Sequence, residues 1–502
     1  MRDHGISLNS GSYLQMINRR ILVTGATGYV GGRLVRNLVA DSFQVRVLVR
    51  DASKLAGVSW KDSVEVIEGD ATDSAALQRA LKKIHTAFYL LHSLDTGKDF
   101  AKTERNMALV FGRECASAQV TQIVYLGGIA NDKMRSEHLA SRAEAGVSLT
   151  KGGVATMELR AGIIIGSGSA SFEMLRHLTE RLPIMPAPKW VKNRTHPIAI
   201  RDVLWYLEQA AQLITPVSGI FDIGGPDVFT YAEMMHRYAK VAGLRGRTII
   251  PVPVHSPRLC GLWVNLVTPV PASISRPLIF SLINEVVADP AKSVSAFIPE
   301  PAEKLTTFER AVELALERSR DFQVITRWSD ATGNSSPWEK VQSDPSWAGA
   351  SVYRDIRVVT STNPRSNIWA AIERIGGTNG WYGSDWAWSL RGFIDRLIGG
   401  VGLRRGRRDP EHLRIGDSLD FWRVEALENN VRLRLLAEMK LPGIALLEFR
   451  LSESEGVTTL TQEATFLPKG VSGHLYWWIV APFHTLVFLT MAKNIMDSSA
   501  SS

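Results

Sequence analysis

From Ile21 onward, short apolar runs alternate with amphipathic stretches. Ile21–Thr24, Val45–Arg50, Val64–Glu68, Thr86–Leu91, Gln122–Leu126 and Ala155–Arg160 are continuous runs rich in Val, Ile and Leu, and they read as strands. A strand buried on both faces has no polar side to alternate with, so such runs predict a parallel sheet covered on both sides. Tyr29–Ala40, Ser74–Leu81, Phe100–Ala118 and Ser136–Leu149 lie between them and read as helices. A strand at Gly219–Asp222 and a helix at Thr230–Ala242 extend the series. Regular alternation of the two predicts a doubly wound α/β sheet.

The pattern changes after Gly246. Six prolines (251, 253, 257, 269, 271 and 277) interrupt the apolar stretch Ile249–Pro277, which excludes one long helix there. Residues 247–328 are expected to form a substrate-side subdomain on a first domain of residues 17–246. Residues 329–349 are rich in Ser, Asp, Pro and Gly and read as a linker.

A second domain is expected over residues 350–496. Val352–Val359 reads as a strand. Asn363 is placed to cap a helix with Pro364 at its first position and Ile368, Ile372 and Ile375 on one face, ended by Gly376 and Gly377. In Val431–Glu438, Val431, Leu433 and Leu435 alternate with Arg432 and Arg434, as in a half-buried strand. Ser418–Val424, Ile444–Leu451 and Val457–Phe466 complete a predicted antiparallel set, followed by an apolar helix over Gly473–Ile495. This half is therefore expected to be α+β.

Composition narrows the classes. A chain of 502 residues with 45% apolar and 22% charged types is neither disordered, collagen-like nor polytopic in the membrane. The net charge of +8, from 58 basic and 50 acidic residues, allows an anionic ligand or membrane surface. It is too dilute to indicate nucleic acid, and none is expected as a partner. Two cysteines, Cys115 and Cys260, build no disulfide framework and suit a reducing compartment. Met1–Arg20 lacks the apolar core of an export signal, so a cytoplasmic location is expected. His474, His484, Glu425 and Glu438 lack metal-ligand spacing, and no metal is expected.

One stretch keeps membrane association open. Val471–Ala492 contains no Asp, Glu, Lys or Arg, and its 22 residues suffice to span a bilayer. Pro482 and His484 sit at its centre, however, and the sheet before it needs a covering helix. A helix buried on that sheet is favoured, ahead of an interfacial helix and then a span.

The strongest chemical motif is Ile21-Leu-Val-Thr-Gly25-Ala-Thr-Gly28-Tyr-Val-Gly31, a strand, a glycine turn and a helix in sequence. Gly25 permits the turn, Gly28 lets backbone approach a pyrophosphate at the helix N-terminus, and Gly31 allows close helix-on-strand packing. The second predicted strand ends at Arg50 and Asp51. An acid there suits a ribose 2′-hydroxyl and an arginine a 2′-phosphate, so NADP is favoured over NAD. Asp70, after the third strand, lies where adenine would sit, although a turn-forming Asp reads nearly as well.

These residues resemble the short-chain dehydrogenase/reductase (SDR) superfamily. The TGxxGxxG form at Thr24–Gly31 is that of its extended and atypical branches, and the similarity runs over about residues 17–327, including Gly224-Gly225-Pro226. The resemblance implies a Rossmann fold with NADP or NAD held by Gly25, Thr27, Gly28, Tyr29, Val30, Gly31, Arg50, Asp70, Ala71, Leu90, Leu91 and Gly127. The catalytic YxxxK and its preceding Ser are missing. Leu126-Gly127-Gly128 ends the fifth strand, and the next helix carries His138-Leu-Ala-Ser-Arg142. That resembles an atypical SDR subgroup with HxxxR in place of YxxxK, whose bacterial members are often fused to a START-like domain.

His138 and Arg142 share a helix face. A histidine titrates near neutrality and can act as general acid to a carbonyl receiving hydride. Arg142 supplies a permanent cation for the nicotinamide ribose but exchanges no proton. The rival reading is a polar helix surface without catalysis. Arg160–Phe172, with Gly162, Gly166 and Gly168, is placed by the same resemblance on the substrate side, with Ser171 as an alternative helix cap.

The second half resembles the helix-grip fold of START-like domains, in which a long last helix lies across a curved sheet around an apolar cavity. Trp369, Trp381, Trp386, Trp388, Trp422, Trp477 and Trp478 fall here and suit either an aromatic pocket or a large-ring core. Arg404, Arg405, Arg407 and Arg408 form a basic loop that suits phosphate groups or plain solvation. The expectation is an NADP-dependent oxidoreductase or epimerase-like SDR whose partner is a small apolar substrate or a lipid- or quinone-like ligand. A peripheral membrane contact, and a non-catalytic NAD(P)-binding sensor or assembly factor, stand as alternatives.

Overall fold

The computed structural model describes residues 19–320 and 352–498, apart from 56–57, 92–99, 131–135, 253–266, 269, 378–379, 384–387, 389–390, 393–394, 396–408, 410 and 455. The chain divides into two compact units, and the division falls within the undescribed stretch 321–351.

The first unit is built on seven parallel strands. They are β1 (Arg20–Thr24), β2 (Gln44–Val49), β3 (Glu65–Glu68), β4 (Thr86–Tyr89), β5 (Gln122–Gly128), β6 (Ala155–Ala161) and Gly219–Ile223, the eleventh strand in the chain. Their spatial order is β11-β6-β5-β4-β1-β2-β3, with Ile21 of β1 opposite Val45 on one side and Thr86 on the other. The order reverses between β1 and β4, and in such sheets the crevice at that switch point is where ligands bind.

Helices cover both faces: α1 (Tyr29–Ala40), α2 (Ser74–Leu81), α3 (Phe100–Ser117), α4 (Glu137–Thr150), α5 (Ala170–Arg181), α6 (Ile200–Gln212) and α7 (Tyr231–Val241). Two apolar layers result. Ile21, Val23, Leu34, Val47 and Phe88 belong to one, and Leu22, Leu77, Tyr89, Phe111 and Tyr125 to the other. Adjacent residues of β1 thus feed opposite layers, which is why its sequence is apolar throughout.

Short strands carry the rest of this unit. β7 (Ile164–Ile165) pairs with β10 (Ile198–Ala199), β8 (Ile184–Pro188) with β13 (Thr248–Val252), and β9 (Arg194–Thr195) with β12 (Phe229–Thr230). Pro186, Pro188 and Pro251 are tolerated because β8 and β13 form only a two-stranded ribbon, with an open edge on each side. The proline-broken stretch contributes α8 (Ala272–Leu282), which has Pro277 inside it, before α9 (Phe308–Arg320).

The second unit is a six-stranded antiparallel sheet in the order β14-β19-β18-β17-β16-β15. These are β14 (Tyr353–Ser361), β15 (Ser418–Leu419), β16 (Trp422–Glu428), β17 (Arg432–Ala437), β18 (Gly443–Ser454) and β19 (Val457–Pro468). The short α10 (Arg365–Glu373) and the long α11 (Gly470–Ser498) pack on it. Ile368, Ile372 and Ile375 are buried on one face as expected, and they meet Leu433, Leu435, Phe449, Met491 and Ile495.

Two local expectations fail here. Pro364, not Asn363, occupies the N-cap of α10, and the Asn363 amide donates instead to the Met496 carbonyl on α11 at 3.2 Å. Ser418–Val424 is not one strand. The chain turns at Asp420 (φ +57), whose carboxylate accepts from Trp381 Nε1 at 2.8 Å and the Gly377 N–H at 3.2 Å. Those bonds hold the left-handed backbone that Asp tolerates.

α11 bends by 44° between Gly470–His484 and Val487–Asp497. Pro482 lies in this region, lacking the N–H of a regular turn and crowding the preceding one. One face of the helix buries Phe488, Met491 and Ile495, while Leu475, Trp478, Ile479 and Phe483 are exposed. Among the described residues no single helix is long and apolar enough to cross a membrane; this bent pair meets the requirement by length and composition only.

Candidate nucleotide-binding site

The site begins where β1 ends. The buried Thr24 hydroxyl donates to the Phe88 carbonyl at 2.9 Å and accepts from the Leu90 N–H at 3.3 Å, which ties the carboxyl ends of β1 and β4 together. Gly25 then takes φ +71, and a Cβ on it would lie 2.5 Å from the Leu90 carbonyl oxygen. The Gly28 N–H closes the turn on the Gly25 carbonyl at 2.9 Å. A Cβ on Gly31 would lie 2.2 Å from that same oxygen, so only glycine lets α1 start so close to the strand. Gly28 is the N-cap of α1, no side chain caps the helix, and its first turn holds no acid. An uncapped N-terminus without a competing carboxylate is a cradle for phosphate.

The neighbouring residues divide between ligand side and protein side. Thr27 is exposed, and Val30 packs on the sheet core. Tyr29 faces a second loop: a Cβ on Gly166 would lie 2.5 Å from its hydroxyl. Arg33 lies over the Tyr29 ring at 4.0 Å and donates to the carbonyls of Tyr29 (2.9 Å) and Ser167 (3.2 Å), fastening the Gly166–Ser167 loop to α1. In that loop the N-cap of α5 is Ser169 rather than Ser171, and its hydroxyl donates to the Ile164 carbonyl at 2.8 Å.

At the end of β2, Arg50 is exposed. The Asp51 carboxylate is already engaged, accepting from the Ser53 N–H at 2.9 Å and hydroxyl at 2.5 Å. Asp70 likewise accepts from the Thr72 hydroxyl at 2.6 Å and N–H at 2.8 Å. These bonds to Thr72, helped by the charge of Arg50, hold its carboxyl below the usual range. Asp70 therefore acts as a turn former, and Ala71 behind it is buried in the second apolar layer.

The helix pair sits at the carboxyl ends of β4 and β5. His138, near the start of α4, is buried. Arg142, one turn later, donates to the carbonyls of Leu126 and Leu91, and lies 3.4 Å from a Glu104 oxygen. Its guanidinium is 5.0 Å from the centre of the Tyr125 ring, and the Tyr125 hydroxyl donates to the Arg142 carbonyl at 2.9 Å. Glu104 is fully buried on α3 and also accepts from the Ser141 hydroxyl. Burial alone would lower the pKa of Arg142, but Tyr125, Glu104, Tyr89 and Glu158 outweigh it, and the guanidinium stays cationic. Burial pushes the Tyr89 and Tyr125 phenols up, so neither is suited to proton transfer near neutrality.

Leu90 and Leu91 are half-buried where β4 ends. Gly127 covers a buried ion pair: a Cβ there would lie 2.7 Å from Glu158, which meets Arg160 at 2.7 Å.

Glu104 is absent from any motif in the sequence, yet a signal exists. It falls on the α3 stripe of Ala108, Phe111 and Cys115, all fully buried, and a carboxylate at a core position of an amphipathic helix calls for a cation.

In the second unit, Trp388, Trp422, Trp477, Phe466, His484 and Phe488 are among the residues around a cavity of about 270 Å³. Trp369 and Trp381 are buried in the adjoining core, and Trp478 is exposed. Trp386 and the basic loop Arg404–Arg408 lie outside the described residues.

Comparison with known proteins adds identity to this geometry. Residues 17–125 match the NmrA-like family, and residues 347–491 match DUF2867, a family of unknown function. The ceramide reductase of Caulobacter vibrioides is 28% identical over 243 residues, spanning 46% of this chain and 74% of that protein. The (4-alkanoyl-5-oxo-2,5-dihydrofuran-3-yl)methyl phosphate reductase of Streptomyces griseus is 35% identical over 124 residues, spanning 25% and 40%. Among solved structures, Citrobacter sp. triphenylmethane reductase complexed with NADP(H) is similar at 17% identity and a TM-score of 0.48, over 59% of this chain and 99% of that one. The first unit thus carries a glycine turn at the head of a parallel, Rossmann-like sheet, and its residues 17–125 are similar to the NmrA-like family.

Proposed function

We propose that this chain is an NADP(H)-dependent oxidoreductase that interconverts a carbonyl and an alcohol on an apolar substrate. The observation that carries the proposal is the glycine cradle at Gly25, Gly28 and Gly31 over the uncapped end of α1. A bound nicotinamide supplies or takes up the hydride. Backbone N–H groups at the start of α1 hold the pyrophosphate. Arg50 meets the 2′-phosphate, since Asp51 is turned onto Ser53 and offers its carboxylate less readily to a ribose hydroxyl.

In the reducing direction His138 would give a proton to the substrate carbonyl oxygen, and its imidazole would regain that proton from solvent. Arg142 is a positioning residue in this scheme. Bound to Glu104 and the Leu91 and Leu126 carbonyls, it fixes the carboxyl ends of β4 and β5, and its permanent charge would favour a cofactor ribose held there. Similarity to a ceramide reductase supports an apolar, lipid-like substrate. The long helix across an antiparallel sheet, together with the cavity beneath it, supports the START-like reading of the second unit.

The test is NADPH oxidation by the full chain with a panel of long-chain aldehydes, ketones and quinones. Turnover is expected with at least one of them, and His138→Ala is expected to lower it by about 10²- to 10⁴-fold with NADPH affinity retained. Tight NADPH binding without turnover on any carbonyl would favour the sensor. Unchanged turnover in His138→Ala would remove His138 as the acid.

A further inference from the structure

We infer that the outer face of α11 docks on the surface of an anionic phospholipid bilayer, lying along the membrane rather than crossing it. The inference uses residues of the second unit alone and stands apart from the nucleotide site.

The helix is apolar all round, and the sheet takes only part of it. Trp477, Val487, Phe488, Met491 and Ile495 are buried. Val471, Leu475, Trp478, Ile479 and Phe483 are 42%, 59%, 70%, 59% and 59% exposed. At 3.6 residues per turn their spacing puts them on one side of the helix, along about 18 Å of its length. Together they form an apolar stripe on the order of 500 Å², near the upper end of what a monomer carries as one patch. Exposed apolar residues scattered singly need no explanation, whereas an ordered stripe of this size calls for a cover.

Charge identifies the cover. No Asp or Glu stands between Gly470 and Met496, so no acid on this length of helix repels an anionic surface. Cations gather where the stripe begins. Lys469 is exposed, and its N–H donates to the Pro442 carbonyl at 2.8 Å, which brings it beside the segment that carries the exposed Lys440. Arg391 lies 5.9 Å from the centre of the Tyr476 ring on α11 and donates to the Lys440 carbonyl at 3.2 Å. Asp395, the acid in this group, is fully buried and accepts from the Lys440 N–H at 2.7 Å. Lys493 is exposed beyond the other end of the stripe. Lysines at a membrane surface attract its acidic headgroups. Trp478, the most exposed of the five, is of the type that settles between headgroups and tails.

The same charges disfavour a second copy as the cover. Lys469 precedes the stripe and Lys493 follows it, so two α11 helices packed stripe to stripe would set cation against cation in either direction. Crossing the bilayer is disfavoured by packing, because it would strip Phe488, Met491 and Ile495 from the core they share with the sheet. A helix with one face held by protein and the other apolar lies in the interface.

The experiment is cosedimentation of the full chain with vesicles of phosphatidylcholine alone and of equal parts phosphatidylcholine and phosphatidylglycerol. Binding is expected to be about tenfold or more tighter on the mixed vesicles and to weaken with added salt. Leu475→Gln/Ile479→Gln, which alters two exposed side chains and leaves the buried face intact, is expected to weaken binding to the mixed vesicles about tenfold or more. Lys440→Gln/Lys469→Gln is expected to remove most of the preference for phosphatidylglycerol. Thermal melts identify a variant that has not folded, and the wild-type comparison of the two vesicles stands without any variant. No binding to the mixed vesicles, equal binding to both kinds, or undiminished binding by the folded Leu475→Gln/Ile479→Gln variant would overturn the inference. A dimer in velocity sedimentation that this variant dissociates would assign the stripe to a second copy and overturn it as well.

Discussion

Replacing Arg142 by Met removes a cation from beside a carboxylate with no exposure to water. Glu104 lies 3.4 Å from Arg142 Nη1, and after the change it keeps the Ser141 hydroxyl but loses the guanidinium. Removing one member of a buried pair costs about 3–5 kcal/mol, because the remaining charge stays desolvated. With an unfolding entropy of about 2 cal/mol/K per residue, a unit that runs to Phe322 shifts its melting temperature by roughly 1.5 °C per kcal/mol, so a drop of about 5–8 °C is expected for the transition of the first unit.

The cause is separable from lost packing by a double-mutant cycle with Glu104→Gln. If the penalty is the stranded charge, Arg142→Met costs far less in a chain that already carries Glu104→Gln. The single variant also has a pH signature. Without its cation, the buried carboxyl has a folded-state pKa above the unfolded value of about 4.3. The folded state then binds the extra proton, so Arg142→Met recovers stability as pH falls from neutrality towards that unfolded value. Calorimetric melts of the four proteins across pH read both effects. Strict additivity of the two substitutions, with no recovery in acid, would refute the ion-pair account of this site.

Arg50→Ala is expected to weaken NADPH binding by about 10- to 100-fold, the loss of charge-assisted bonds to a phosphate, and to leave NADH binding unchanged; competitive fluorescence titration checks it. Burial depresses the folded-state pKa of His484 to about 4, so between the unfolded value of 6.5 and pH 4 the unfolded state binds more protons. The second unit should therefore lose roughly 3 kcal/mol as pH falls through that window, at about 1.4 kcal/mol per pKa unit, and His484→Phe should flatten that slope in chemical denaturation measured at several pH values.

Most of the first unit was legible in the sequence because each of its signals is local. The glycine turn must stand between a strand and a helix, and continuous apolar runs mark doubly covered strands such as β1 and β5. The bounds of Tyr29–Ala40 and Ser74–Leu81 coincide with those of α1 and α2 for that reason. What escaped depends on tertiary partners. Asn363 has a good capping side chain, yet α11 supplies a competing acceptor from 133 residues away. Ser418–Val424 has strand character, but the acceptor at Asp420 is held in a turn by Trp381 and Gly377.

The same distinction divides the candidate sites. The spacing of His138 and Arg142 shows a shared helix face. It does not show that Arg142 is committed to Glu104, 38 residues earlier, and to two strand-end carbonyls. The abundance of tryptophan in the second half marked an aromatic region without separating buried rings from exposed ones. That difference appears only in the fold, where Trp369 and Trp381 enter the core and Trp478 stands on the outer face of α11.

The central claim is that the glycine cradle at the head of β1 binds NADP(H). Calorimetric titration of NADPH into the wild-type chain and into Gly31→Ala tests it most directly. In Gly31→Ala the new Cβ would start 2.2 Å from the Gly25 carbonyl oxygen, so α1 must move off the turn. The account predicts saturable one-site binding of NADPH by the wild-type chain and its loss in a Gly31→Ala variant that still melts cooperatively. No NADPH binding by the wild-type chain, or unchanged affinity in the folded variant, would contradict it.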